Sequence, residues 1–313
     1  MLQAGPVKVT DRTSESWVFS CPDWRLALHG QHGRVACITG GHRQQNDSEF
    51  QALLDRVRWG RQSLADVATI NETWDTFVPP AGVNEADVTK LRILKMAVAN
   101  INQMRLEAIN EPLFTFPADV VVVTTDAVAR RQALKDLGDF IDNNFAAKMS
   151  SPVIFTRRVG RFPTGTRGHI VGFENADVEL GSNGNQALAR VVCEVEGERV
   201  EVVRERFSVY DSCGAELVFC YQMPLLLGWA LTVHRAQGMT LDAVELDFGK
   251  DTWATCGLVY SALSRCRTLA GLRVTGLTSG LVQVSSMARK YMAKELMAAG
   301  RLDSNAAVWA PKV

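Results

Sequence analysis

Apolar residues recur at helical spacing through the first third of the chain. Asp47 is a suitable N-cap for a helix over residues 49–59, because its carboxylate can accept a backbone N–H of the first turn. The face that this helix is predicted to bury consists of Phe50, Leu53, Leu54 and Val57. Further helices are predicted within residues 62–110, with a break at Pro79-Pro80, and over residues 127–143 and 284–297.

The middle of the chain changes to short apolar runs separated by glycine-containing turns. Four runs between residues 152 and 207 have the composition of strands, the last of them RVEVVRERF, and EVEGERVEV (194–202) is typical of a hairpin. This segment predicts a small β-barrel inserted within a larger α/β domain. Outside it, strands are predicted at residues 35–39, 118–126, 243–248 and 272–277.

Two of these patterns have more than one interpretation. Residues 118–126 end in the carboxylate of Asp126 and imitate the metal-binding strand end of a nucleotide site, but the chain has no Walker A loop to accompany it, so a plain buried core strand is favoured. The aromatic residues Trp17, Phe19 and Trp24 surround Pro22. Packing in the core is the favoured interpretation of this cluster, and stacking on a nucleic-acid base is the other.

Composition describes an ordinary globular protein. The chain has 313 residues, of which 47% are hydrophobic and 22% charged, and its 34 Lys and Arg equal its 34 Asp and Glu. Because there is no overall positive charge, a nucleic-acid site would have to come from local clustering. The seven cysteines contain no C-x-x-C pair, which argues against zinc and favours a reducing compartment. No apolar run reaches the roughly 18 residues that a membrane span needs.

Two clusters of polar residues flank the predicted strand at 243–248, and both suit a phosphate. The cluster before the strand contains Thr232, His234, Arg235 and Gln237, followed by Gly238, which frees the backbone. The cluster after it contains Tyr260, Ser264 and Arg265, near one end of a helix that Gly257 could open. Guanidinium, hydroxyl and amide donors together match phosphate oxygens well. As alternatives, His234 could be a core histidine and Arg265 a buried ion-pair partner.

Two further basic features each allow a structural and a functional interpretation. Arg43 lies at a predicted strand-to-helix turn, where it could pair with Asp47 or bind a ligand. A basic stretch with interleaved Phe155 and Phe162 is typical of single-strand binding, but it could also protect the edge of a small sheet. Its basic residues are Arg157, Arg158, Arg161, Arg167 and His169.

These segments resemble the PIF (petite integration frequency) DNA helicases of superfamily one, in family order over roughly residues 17–277. WALTVHRAQGMTLD (229–242) resembles motif V and YSALSRCRTLAGL (260–272) motif VI. HRQQNDSEFQALLDRVRWG (42–60) resembles motif IV, and WVFSCPDW (17–24) the segment after motif III. FTRRVGRFPTGTRGHIVGF (155–173) resembles a segment with Asn-Gly-Thr-Arg-Gly, where this chain has Thr164 for the Asn. The chain also has Arg235-Ala236 where the family usually has Lys-Ser, and His42 where it usually has Phe.

The resemblance implies an α/β fold, the second RecA-like helicase domain, with an inserted SH3-like barrel. The implied boundaries are a loose tail at 1–16, the RecA-like domain at 17–150 and 215–300, the barrel at 151–214 and a C-terminal tail at 301–313. It implies ATP and Mg²⁺ as cofactors and single-stranded DNA as partner, with translocation from 5′ to 3′. Relatives of this kind act in recombination, repair and telomere or mitochondrial DNA maintenance, so we expect an intracellular location.

The resemblance also assigns roles to individual residues. Arg43 and Arg265 would reach ATP phosphate as catalytic arginines, and Gln237 and Gly238 would couple the nucleotide to the DNA. The residues expected to bind DNA are Thr232, His234, Arg235, Arg157, Arg158 and Arg167.

The Walker A loop that such a helicase needs for ATP, G-x-x-x-x-G-K-[ST], does not occur in this chain. We therefore expect the chain to be the C-terminal half of a helicase that is inactive alone, with the P-loop domain supplied in cis or by another chain. The contrasting hypothesis is a non-catalytic helicase module that binds single-stranded DNA or a partner subunit.

Overall fold

A computed structural model describes Phe19 and residues 42–81, 83–174, 189–250 and 255–298. Within these residues the α-helices are α1 Ser48–Arg58, α2 Leu64–Thr76, α3 Lys95–Glu107, α4 Ala127–Phe140, α5 Leu258–Leu263 and α6 Ser286–Ala298. The strands are β1 Thr89–Arg92, β2 Phe114–Pro117, β3 Asp119–Val122, β4 Asn144–Ala147, β5 Pro152–Phe155, β6 Arg167–Glu174, β7 Arg190–Val195, β8 Glu198–Val202, β9 Glu205–Tyr210, β10 Glu216–Gln222, β11 Leu225–Leu227, β12 Ala230–Thr232, β13 Val244–Asp247 and β14 Leu272–Thr275. The predicted tails, Trp17, Trp24 and the predicted strand at 35–39 lie outside the described residues.

The described residues fall into two compact units. The first comprises the residues up to Phe77 and those from Asp247 onward, and the second comprises Val78 to Leu246. These two units do not test the predicted domain boundaries, which stay a prediction.

Helix α1 of the first unit forms as its sequence predicts. Asp47 accepts the backbone N–H of Phe50 at 2.9 Å, and the four predicted apolar residues are buried. Helix α2 begins with a capping box, in which Ser63 and Asp66 each accept the other's backbone N–H. Strand β14 lies along α2, where the hydroxyl of Thr73 accepts the N–H of Val274 at 3.1 Å. These contacts join segments about two hundred residues apart into one unit.

The second unit contains a parallel arrangement, β12-β1-β13, which fits the predicted α/β class. Helix α3 packs against β12 and β1, and the side-chain amide of Asn102 exchanges two hydrogen bonds with the backbone of Ala230. All four residues of β13 are buried, including Glu245, which forms ion pairs with Arg92 and Lys90 at 3.3 Å. The predicted strand at 243–248 is therefore confirmed, and both of its faces are covered.

A five-stranded antiparallel sheet, in the order β11-β5-β6-β7-β8, follows in the same unit. The predicted hairpin is confirmed between β7 and β8, where Glu196 and Gly197 both have positive φ, at 52° and 79°. The two-stranded ladder β2-β4 contributes Phe116 and Phe145 to the core of this sheet. RVEVVRERF does not form one strand: its first half is β8, and its second half, β9, pairs with β10 in another sheet.

That other sheet, β3-β10-β9, corrects the prediction for residues 118–126. Val120, Val121 and Val123 are 38–51% exposed, so the prediction of a buried core strand is wrong. The reason is that β3 pairs with β10 while α4 covers one face of the sheet through Ala133 and Leu137. Asp126 caps α4 by accepting the N–H groups of Val128 and Ala129, and Val128 itself is exposed.

The first prediction concerns Asp66. A hydrogen bond from Arg56 is the main cause that lowers the pKa of Asp66 to about 2, from 3.8, and bonds from Ser63 add to it. Because the folded protein binds this proton less readily, the stabilisation is present above pH 3.8 and is lost as the pH falls toward 2. We expect Asp66→Asn to lower the free energy of unfolding by about 2 kcal/mol at pH 7.

Urea unfolding of wild type and Asp66→Asn between pH 7 and pH 2 checks this. The difference between the two proteins should shrink as the pH falls through this window. Asp55→Asn, at an exposed carboxylate of α1, is the control and should differ little from wild type. A difference between wild type and Asp66→Asn that is constant with pH would contradict the assignment.

The second prediction concerns the turn that precedes β6. Gly165 has φ +89°, and a Cβ there would lie 2.9 Å from the Cβ of Met239. Gly214 has a similar φ of +84° with no atom within 4 Å of its Cβ position, so an alanine there would have the backbone strain without a steric clash. Gly214→Ala should lose roughly 1 kcal/mol of stability and Gly165→Ala a further 1–3 kcal/mol. Urea midpoints measure both losses, and equal losses would show that the contact with Met239 is not tight.

Candidate functional site

The structure brings together the two arginines that were expected to bind phosphate. Arg43 donates from Nη1 to the carbonyl oxygen of Ser264 at 3.0 Å. Arg265 donates from Nη2 to the hydroxyl of the same serine at 2.9 Å, and from Nε to the carbonyl of Ser261 at 2.8 Å. Arg43 is partly exposed, whereas Arg265 is only 1% exposed. The pair therefore forms a cluster in which one guanidinium reaches the surface and the other lies within the unit.

This arginine cluster, Arg43 with Arg265, has an electrostatic cost. Burial, followed by the positive charge of Arg43, lowers the pKa of Arg265 to about 10, while Tyr260 acts in the opposite direction. Burial is also the main cause that lowers the pKa of Arg43. Two like charges held together favour an anion beside them, because a phosphate oxygen would offset both the repulsion and the lost hydration.

Local sequence explains how the cluster is assembled. Gly257 has φ 76° and directly precedes the short helix α5, as its position in the sequence predicted. The helix ends at Ser264, so that Arg265 follows on its last turn. Arg43 comes from a single 3-10 turn, His42–Gln44. Asp47, the alternative partner considered for Arg43, accepts the N–H groups of Phe50 and Leu269 with its two oxygens.

Sequence reasoning missed Gln44. Its side-chain amide is buried and donates to the carbonyl of Cys266 at 2.6 Å and to that of Ser264 at 3.3 Å. These two carbonyls flank Arg265, so Gln44 fixes the backbone on both sides of that residue. Nothing in the polar run around Arg43 distinguished this glutamine from its neighbour Gln45.

The second unit contains a cleft of about 600 Å³ that gathers most residues of the other predicted cluster. The loop before β6 and the turn after β12 meet there, at the close approach of Gly165 to Met239. The residues that line this cleft are Ile93, Lys95, Asp139, Thr156, Thr164, Leu226, Thr232, His234, Arg235, Gln237 and Met239. Lys95 and Thr156 carried no sequence signal. Lys95 pairs with Asp139 at the surface of the cleft.

The residues of the turn after β12 differ in exposure. Thr232 is buried and accepts the N–H of Arg235 on its hydroxyl at 3.2 Å. His234 is exposed, which excludes the alternative of a core histidine. Gln237 is partly exposed, and Gly238 has φ 85°, so glycine is required for the turn as predicted.

The side chain of Arg235, which was expected to bind DNA, forms hydrogen bonds within the chain. Its guanidinium donates to the carbonyl oxygens of Ile141 at 2.7 Å, Gly138 at 3.0 Å and Asp139 at 3.3 Å. Burial lowers its pKa. The side chain is therefore bound to the end of α4 in this structure.

The remaining basic residues are not among those that line the cleft. Arg157 donates to the carbonyl of Arg206 at 3.0 Å and stacks on Phe207, 4.0 Å from the ring centre. Arg158 is exposed. Arg167 donates to the hydroxyl of Thr89 at 2.9 Å. Their role in binding DNA stays a prediction.

The part of the chain that the structure describes offers neither a cluster of metal ligands nor a helix that could span a membrane. No three His, Cys, Asp or Glu side chains gather there in a position to hold a metal ion. No helix in that part combines the length and apolar character that crossing a membrane requires.

The parallel strands with their flanking helix fit a RecA-like α/β fold, and the donors are of the kind that binds phosphate groups. Sequence comparison then identifies the relatives: the chain is related over most of its length to the PIF-family DNA helicases, which confirms the resemblance seen in its motifs. It is 28% identical over 293 residues to an ATP-dependent DNA helicase PIF1 of Danio rerio, covering 91% of this chain and 41% of that protein. The chain spans 33–41% of the length of the first curated relatives that it matches. No protein-family model matches it.

Solved structures show the same likeness at the level of the fold. The structure of a Pif1 helicase from Candida albicans superposes with a TM-score of 0.67 at 20% identity, covering 93% of this chain and 66% of that one. A Pif1 helicase from Bacteroides, solved in complex with ADP-AlF3 and single-stranded DNA, gives a TM-score of 0.57 at 18% identity, with 88% of this chain and 60% of that one covered.

A third prediction follows from Gln44. Gln44→Ala removes the donor to two buried carbonyls beside Arg265, and we expect it to lower the free energy of unfolding by about 1–3 kcal/mol. Gln45→Ala, at the exposed neighbouring position, is the matched control and should be nearly neutral. Denaturant unfolding compares them. Equal stability of the two variants would show that the Gln44 bonds add nothing to the fold.

Proposed function

We propose that the chain is the C-terminal portion of a PIF-type ATP-dependent DNA helicase that moves 5′ to 3′ on single-stranded DNA. In this proposal Arg43 and Arg265 act as arginine fingers toward ATP, and the turn after β12 contacts the DNA backbone. The single observation that carries the proposal is the convergence of the two guanidinium groups on Ser264. The relationship to PIF helicases supports it.

The arginine cluster suits phosphoryl transfer for a physical reason. ATP with its Mg²⁺ supplies the γ-phosphate, on which negative charge is redistributed during transfer. Arg43, at the surface, would donate hydrogen bonds to those oxygens first. Arg265 would follow by exchanging its bonds to Ser261 and Ser264 for phosphate oxygens, so that both charges stabilise the transition state.

The cleft of the second unit suits a single strand that is bound without regard to sequence. Thr164, Thr232, His234 and Gln237 line the cleft with hydroxyl, imidazole and amide groups, which can contact phosphates and sugars, and such contacts carry no sequence information. In this proposal Gln237 and Gly238 also transmit the state of the nucleotide to the DNA. The Bacteroides relative was solved with single-stranded DNA, which supports this choice of ligand.

Two finer parts of the proposal concern structure and biological role. The antiparallel strands β5 to β8, which lie within residues 151–214, would belong to the SH3-like insertion expected of the family, with Arg157, Arg158 and Arg167 as additional DNA contacts. By its relationship, the complete helicase would act in DNA repair, recombination, and telomere or mitochondrial DNA maintenance.

A second candidate function is a non-catalytic module that binds single-stranded DNA or a partner subunit. The burial of Arg265 and its bonds to two serine residues favour it, because a purely structural arginine would have the same surroundings. The two candidates differ in whether removal of the guanidinium affects ATP hydrolysis.

The fourth prediction separates them. DNA-stimulated ATP hydrolysis is measured for the chain alone and with the P-loop domain of a PIF helicase joined to it. The joined protein should hydrolyse ATP, and both Arg43→Ala and Arg265→Ala should lower kcat by roughly 10³-fold or more. Arg265→Lys keeps a charge but not the fork geometry, so it should recover only part of the rate.

Arg130→Ala, at an exposed arginine of α4, is the control and should keep the full rate. Circular dichroism melts show whether each variant is folded. Folded Arg43→Ala and Arg265→Ala variants that retain wild-type kcat would reject the arginine-finger proposal and leave the binding module.

A further inference from the structure

Arg235 joins two parts of the second unit that are far apart in sequence. Its guanidinium donates to the carbonyls of Gly138, Asp139 and Ile141, which are 94–97 residues earlier in the chain. These carbonyls lie at the C-terminal end of α4, where the last C=O groups of a helix have no partner within it. A positive fork of several N–H donors therefore satisfies the helix end and complements its dipole.

The backbone of Arg235 is also fixed, from the opposite side. Its N–H donates to the hydroxyl of Thr232 at 3.2 Å, and the N–H of Ala236 donates to the carbonyl of Thr232 at 3.0 Å. The turn is thus held by β12 through its backbone and by α4 through one side chain. His234 and Gln237 project from this same turn into the cleft.

The two cavities that Arg235 lines also indicate that its contacts determine the shape of the cleft. A second cavity of about 400 Å³ runs along α3 and the end of α4. Thr232 and Arg235, with Lys95 and Leu226, line both this cavity and the cleft. They therefore form the wall between the two, and a change in the contacts of Arg235 would alter the shape of the cleft.

We propose that Arg235 is a positioning residue that fixes the turn carrying His234 and Gln237 to the end of α4, and that it does not itself hold a DNA phosphate. The proposal rests on the proposed function only in treating the cleft as the DNA site. It assigns the loss of DNA binding in an Arg235 variant to a displaced turn and not to a lost charge contact.

Two substitutions separate geometry from charge. Arg235→Lys keeps the charge but cannot reach three carbonyls with a fork, whereas Arg235→Gln keeps amide donors but loses the charge. Arg131→Gln, at an exposed arginine of α4, controls for loss of charge near this helix. Hydrogen–deuterium exchange of residues 136–142 and 233–239 reports on the turn and the helix end. Anisotropy with a fluorescent oligothymidylate across a salt series reports on DNA binding.

For a positioning residue, both variants should raise exchange about tenfold in the two segments. Both should also weaken DNA binding by a similar factor, with the dependence of affinity on salt unchanged. Unaltered exchange in Arg235→Lys and Arg235→Gln would overturn the proposal whether or not the protein binds DNA.

A phosphate contact would give a different result. Arg235→Lys would bind like wild type, while Arg235→Gln would lose affinity and its salt slope would fall by about one. That outcome would also overturn the proposal. If wild-type protein fails to bind the oligonucleotide, the proposed function is rejected instead, and the exchange data still decide the role of Arg235.

Discussion

Arginine remains charged in nearly every protein environment, so each buried guanidinium must find compensation from its surroundings. This constraint governs the first unit, where Arg265 is 1% exposed and lies beside a second guanidinium. The compensation comes from backbone and serine oxygens at the end of α5. Gln44 then fixes the peptides on either side. The two guanidinium groups are thus held in place by the protein itself, and an anion beside them would reduce their mutual repulsion.

The second unit uses the same chemistry for a different purpose. Arg235 also donates to carbonyl oxygens, but these belong to the end of α4. No second guanidinium contributes to the shift of its pKa. A nearby carboxylate, that of Asp142, even favours its charged form. The two guanidinium groups of the arginine cluster therefore repel each other, whereas the charged groups that affect Arg235 are carboxylates. Arg235 and Arg265 both stood out in the sequence as possible phosphate ligands, but they differ in how far the surrounding chain compensates their charge.

Short-range sequence patterns predicted those features of the fold that depend on neighbouring residues. The buried face of α1, its Asp47 cap, the hairpin between β7 and β8 and the start of α5 at Gly257 each depend on residues within one or two turns. The valines at 120–123 could not be placed in this way, because their exposure depends on which elements cover β3. The meeting of Arg43 with Arg265 came from family motifs, and no local pattern implies it. The partners of Arg235 and Gln44 are about 100 and 220 residues away, so no pattern around either residue could have shown them.

The burial of Arg265 sets the energetic condition for a catalytic role. Its bonds to the carbonyl of Ser261 and the hydroxyl of Ser264 are donated by a charged group, so each is worth about 1.5–3 kcal/mol net. A phosphate oxygen would add the attraction between opposite charges, so it could replace these partners once both groups have lost their water. Arg43, already at the surface, can begin that desolvation by holding the anion against the cluster. The structure places a partly exposed arginine, Arg43, at the same serine as the buried Arg265, so an anion bound to Arg43 would approach both charges.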